Sequence, residues 1–101
     1  MTKLDNLEKQ QLEIIILEFI KQSYETWRQR KVGHEPCITV TLTLDYLLQH
    51  GACPKNLKFA VRRKQQSMVR SLLTGLLNRG KLTSSIGLGE RGGEARCYEL
   101  T

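Results

Sequence analysis

Near Gly80 the apolar pattern changes period, and that change constrains the fold more than any other feature of the chain. Val69, Leu72, Leu73, Leu76 and Leu77 recur at threes and fours, which puts them on one face of a helix over residues 64–79. Gly80 supplies the stop, because glycine alone enters the left-handed backbone region without a Cβ penalty. Beyond it the chain reads KLTSSIGLGERGGEARCYELT, in which Leu82, Ser84 and Ile86 alternate and residues 95–100 can return as a partner strand. A helix running straight into a β-hairpin is the prediction. Gly87, Gly89, Gly92 and Gly93 are more than a tight turn requires, so the hairpin should carry a long tip, with Arg91 near its centre.

Upstream, Leu12, Ile15, Ile16, Phe19, Ile20 and Trp27 repeat at helical spacing and predict a long helix over residues 5–28. Leu17 and Tyr24 widen its stripe, and Ile14 with Leu7 lies further round. This is more apolar surface than one small core usually covers, so the excess either meets a second copy in a homodimer or wraps under the rest of the chain. Residues 29–37 combine Gly33 with Pro36 and read as a connector. Residues 38–42 are rich in β-branched side chains and suit a short strand, after which Thr41 or Thr43 can cap a helix bearing Leu44, Leu47 and Leu48. Gly51, followed by Pro54, should end that helix. Residues 53–63 have no clear form, although Leu57, Phe59 and Val61 alternate. With 101 residues and no internal repeat, one domain with one core is expected, of class α+β and mainly α.

Charge is sorted along the chain. From Tyr46 to Gly89 there is no Asp or Glu, against eight cations: Lys55, Lys58, Arg62, Arg63, Lys64, Arg70, Arg79 and Lys81. The positive surplus behind the chain's net charge of +6 sits wholly in that segment, because residues 1–45 hold six Lys/Arg against seven Asp/Glu and residues 90–101 hold two against three. Such a one-signed stretch points to an anionic partner, with phosphates the commonest case; a solubilising face is the alternative. No run approaches a membrane span, the longest apolar run being Ile14 to Leu17. The start MTKLDNLEKQQ does not fit a secretory signal. Cys37, Cys53 and Cys97 are an odd number without CxxC spacing, which argues against a disulfide framework and suits a reducing, cytoplasmic compartment.

The helix over residues 64–79 lies inside the basic segment. Its outer face presents Arg63, Ser67, Arg70, Ser71, Thr74 and Asn78, with Met68 and Gly75 at the edge. Arginine donates two bonds to guanine, and Ser, Thr or Asn reach base edges or phosphates, so this face suits the major groove of double-stranded DNA. Gly75 costs about 1 kcal/mol relative to Ala inside a helix, which suggests that another element or a ligand comes close there. Arg91 could reach a minor groove or a phosphate, although Glu90 and Glu94 could instead pair with Arg91 and Arg96 in an ordinary surface hairpin.

Two other chemistries are poorly served. His34, Cys37, His50 and Cys53 give H-x-x-C twice with twelve residues between, a weak zinc spacing in a stretch already readable as strand and helix. No paired carboxylates, phosphate loop or nucleophile elbow is present, so neither catalysis nor a cofactor is expected.

In order, long helix, short strand, capped helix, basic amphipathic helix and glycine-tipped hairpin resemble the winged helix-turn-helix superfamily over residues 10–100. The most specific part is SMVRSLLTGLLNRGKL, which is similar to the recognition helix and following strand of many winged-helix regulators. The ending also resembles that of linker-histone globular domains. The resemblance implies one domain over residues 1–101, with a long helix at 1–30, a helix-turn-helix at 38–80 and a wing hairpin at 81–101. It implies that Gln65, Gln66, Ser67, Arg70, Ser71 and Thr74 read the major groove. With Arg62, Arg63, Lys64, Lys81 and Arg91 they form the expected DNA-binding set. The expected function is sequence-specific binding of double-stranded DNA by a small, homodimeric transcriptional regulator. The alternative is an interaction module that docks on an acidic protein.

Overall fold

A computed structural model of the chain describes residues 6–30, 36–50, 58–88 and 93–101. The described elements are α1 (Asn6–Arg30), α2 (Val40–Gln49), α3 (Arg62–Asn78), β1 (Leu82–Leu88) and β2 (Glu94–Leu100). The fold is α+β and mainly helical: three helices followed by a C-terminal antiparallel hairpin.

α1 buries Leu12, Ile16, Ile20 and Tyr24, one residue every four, so a single narrow stripe runs into the core. Ile15, Leu17 and Phe19 pack against the flanks of that core. Much of the apolar excess predicted for this helix is therefore consumed within the chain, while Ile14 is 63% exposed; the side chain of Leu7 lies outside those described. Tyr24 also donates from its hydroxyl to the carbonyl of Pro36 at 2.9 Å, which ties the connector back to α1.

α2 begins one turn earlier than the sequence suggests. Thr39, not Thr41 or Thr43, is the cap: its Oγ1 accepts from the backbone N–H of Leu42 at 3.2 Å. Thr43 is fully buried, and its hydroxyl donates to the Thr39 carbonyl at 2.9 Å. The expected strand over residues 38–42 shrinks accordingly to one bridge, Ile38 with Tyr98. A cap three residues ahead of Leu42 converts the β-branched run into a first helical turn, so local propensity yields to capping. Leu44 and Leu47 then reach the core. On the other side Tyr46 stacks between Phe19 and His50, at 4.3 and 4.0 Å between ring centroids.

α3 buries Gln65, Val69, Leu72, Leu73 and Leu76. It ends as predicted at Gly80, whose φ is +73°. The N–H of Gly80 donates to Leu77 O at 3.0 Å and that of Lys81 to Leu76 O at 2.9 Å. Those two bonds are the Schellman arrangement, which satisfies the last helical carbonyls while reversing the chain. The reversal feeds β1 directly, and Leu82 is buried against the helix core.

In the hairpin Leu82 pairs with Leu100 and Leu88 with Glu94. β2 has β1 on one side and the Ile38 bridge on the other, where the N–H of Tyr98 donates to Ile38 O at 2.9 Å. Leu12, Ile16, Ile20, Ile38, Leu44, Leu47, Leu73, Leu76, Leu82 and Tyr98 form one cluster, so every element meets the same core. No described helix is long and apolar enough to cross a membrane.

The cysteine count argued against a disulfide, and on this point the structure corrects the sequence. Cys37 and Cys97 are bonded, with Cα atoms 4.7 Å apart and a sequence separation of 60. Their partnership arises from the Ile38–Tyr98 bridge beside them, a tertiary neighbourhood that no local spacing encodes. Cys37 is thereby unavailable as a thiolate to the H-x-x-C set, of which His34 and Cys53 lie outside the described residues.

Candidate nucleic-acid interface

The outer face of α3 is the first component of the site. Arg63, Ser67, Arg70, Ser71, Thr74 and Asn78 are exposed and Gln66 is half-buried, as expected of a helix whose opposite side carries the apolar stripe. Gln65 is the exception. It is only 7% exposed and donates from its amide nitrogen to the carbonyl of Lys58 at 3.2 Å. At about 100° per residue Gln65 sits one turn before Val69, on the buried stripe, and so is removed from the expected contact set. Its side chain holds the segment entering α3.

The start of α3 is electrostatically unusual. Val61 offers no side-chain cap, and the first turn is Arg62, Arg63 and Lys64 with no acid. Cations beside the positive end of a helix dipole are unfavourable by about 0.3–1 kcal/mol each at low ionic strength, so an anion there would be stabilising. Asp45 of α2 supplies one carboxylate from across the chain, accepting from Arg62 at 3.0 Å. Arg63 and Lys64 make no ion pair among the described residues.

Two concavities flank α3. On the α1 side, Lys9, Gln10, Glu13, Ser71, Gly75 and Arg79 line a groove in which Glu13 pairs with Arg79. Ser71 therefore belongs to this side. Gly75 opens onto the same groove, and a Cβ built there would meet nothing nearer than the Arg79 guanidinium at 3.8 Å. Of the two approaches expected at Gly75, that of another element is absent among the described residues.

On the other side Arg70 and Thr74 of α3, Thr39 and Thr41 at the start of α2, and Arg96 and Tyr98 of β2 line a cleft of about 480 Å³. It contains two guanidinium groups, two threonine hydroxyls beside a helix N-terminus, and no carboxylate in its lining. Arg96 is held by a bond from its Nη1 to Ser84 Oγ at 3.1 Å across the hairpin. This arrangement suits an extended polyanion: arginines for bidentate contact, hydroxyls and the positive end of α2 for a phosphate.

Sequence reasoning missed Arg96, Thr39 and Thr41 as members of the site. Arg96 shares a strand face with the buried Tyr98, and only the packing of β2 beside the start of α2 brings it to the cleft, which no local pattern signals. Of the other expected residues, Lys81 is exposed in the turn between α3 and β1, and Arg91 lies outside the described residues.

No family model matches the sequence, and no curated protein or solved structure matches it either.

Proposed function

We propose that the chain is a winged-helix module that binds double-stranded DNA in a sequence-specific manner, in the role of a small transcriptional regulator. The supporting observation is the carboxylate-free cleft in which Arg70, Thr74, Arg96, Thr39 and Thr41, drawn from three separate elements, converge beside the acid-free outer face of α3. Convergence from distant sequence positions is what distinguishes a binding surface from a solvated charge run. In this reading Arg70 and Thr74, with Ser67, face base edges, while Arg63, Lys64, Arg96 and the start of α2 hold phosphates. Lys81 and Arg91 add contacts toward the hairpin. Two copies acting as a homodimer would read two half-sites one helical turn apart.

Selection from a randomised duplex pool tests this reading. A few rounds should enrich one short motif, and Arg70→Ala should select a more degenerate one. A pool that stays random after selection contradicts sequence-specific reading, and capture of acidic proteins instead of duplexes would favour a docking module.

A further inference from the structure

We propose that the Cys37–Cys97 bond is a thiol–disulfide switch that sets the separation of the two walls of the cleft and thereby regulates its hold on DNA. The inference rests on the DNA reading above and adds a control to that same site. Cys97 lies between Arg96 and Tyr98, which line one wall; Cys37 stands two residues before Thr39, which caps α2 and lines the other. The sulfur bridge therefore joins wall to wall at the immediate neighbours of the lining residues.

Apart from the core that Ile38 and Tyr98 share, the described backbone links between those walls are sparse compared with the pairing inside the hairpin. Within the hairpin, seven residues of β1 pair with seven of β2, so its integrity does not depend on sulfur. Among the described residues, the backbone between the hairpin and the segment entering α2 contributes the one bond from Tyr98 N to Ile38 O. Opening the disulfide leaves each wall whole and loosens their relation. The hairpin is also shaped around the sulfur: a Cβ at Gly87 would lie 2.8 Å from Cys97 Sγ and 3.9 Å from Cys37 Sγ, so only glycine leaves it room.

Exposure favours one direction of attack. Cys97 is 7% exposed, whereas Cys37 is half-buried and more accessible. A thiolate of a small dithiol attacks Cys37 Sγ, the S–S bond breaks, and Cys97 departs as a thiolate and takes a proton. The second thiol of the reductant then closes on its own sulfur and releases Cys37 as a thiol. Two electrons and two protons have passed to the protein, and the reductant has become a disulfide. A small-molecule disulfide such as oxidised glutathione reverses the exchange.

The test compares the full chain oxidised with glutathione disulfide and reduced with dithiothreitol. Intact mass reports the redox state, and fluorescence anisotropy on the enriched duplex reports affinity. The oxidised form should bind about tenfold more tightly, a coupling of ordinary size for two linked sites. Cys53→Ser should keep that response. Cys37→Ser and Cys97→Ser should each bind like the reduced form and ignore the redox state. Equal affinity in the two forms overturns the switch and leaves the DNA reading standing. Absence of salt-dependent binding in both forms overturns the DNA reading and the switch together. Loss of the far-UV helical signal on reduction also overturns the switch, because the bond would then be a staple of the whole fold.

Discussion

The two sides of α3 take similar residues and use them in opposite ways. Toward α1, Arg79 meets Glu13, and the groove holding Lys9, Gln10 and Ser71 contains a carboxylate. Toward α2 and the hairpin, Arg70 and Arg96 line a cleft that has none. A surplus that is continuous along the chain is thus divided in space: acids from distant elements, Glu13 and Asp45, neutralise Arg79 and Arg62 and leave Arg63, Lys64 and Arg70 without ion-pair partners among the described residues. Linear charge segregation overstated the breadth of the positive surface. It also understated its focus, because Arg96 arrives from outside the acid-free segment.

The largest effect expected concerns what holds the cleft side together. The Cys37–Cys97 bond spans 60 residues, and closing a loop of that order restricts the unfolded chain by roughly 3–4 kcal/mol. Urea denaturation of the reduced protein should show a loss of that order and still a folded baseline, since a domain of this size commonly holds about 5–15 kcal/mol. A loss below about 1 kcal/mol would mean that the bond constrains little.

Next in size is the asymmetry in DNA binding. Arg70→Ala should weaken binding to the preferred duplex by about 1–3 kcal/mol and relax the preference, whereas Lys81→Ala should weaken all sequences alike and lower the salt slope by about one. If Arg79→Ala matched Arg70→Ala in both affinity and preference, the distinction between the two sides of the helix would fall.

Gly75→Ala examines the α1 side by itself. The added methyl has ordinary space beside Arg79, so the exchange should stabilise the helix by about 0.5–1 kcal/mol in thermal melts with DNA affinity unchanged. Smallest is Glu13→Gln. It removes a partly exposed ion pair worth about 0.2–1 kcal/mol and releases Arg79, so stability should fall slightly while binding to random duplex rises a few-fold. Unchanged random-duplex binding would place DNA away from that groove and its cations.

What the sequence revealed and what it hid divide by range. The stripe of Val69, Leu72, Leu73 and Leu76, the stop at Gly80 and the hairpin after it were legible because each is decided by neighbours within a turn or a strand. The outward face of Arg63, Ser67, Arg70 and Thr74 followed from the same period. For Gln65 the family likeness and the helical wheel disagree, and the wheel, which sets it on the buried stripe one turn before Val69, decides. Thr39 was passed over as the cap because the β-branched run around it resembled a strand. The disulfide, the Glu13–Arg79 and Asp45–Arg62 pairs and the entry of Arg96 into the cleft are contacts between distant segments, and no local pattern carries them.

The most direct test of the account is the affinity for duplex DNA across a salt series, for the oxidised wild-type chain and for Arg70→Ala combined with Arg96→Ala. The account predicts a steep linear fall of log affinity with log salt for the wild type, and for the double variant a slope shallower by about one unit, from the lost phosphate contact of Arg96, together with weaker binding at every salt from the lost base contact of Arg70. A wild-type affinity indifferent to salt, or a double variant with the parent slope, would contradict it.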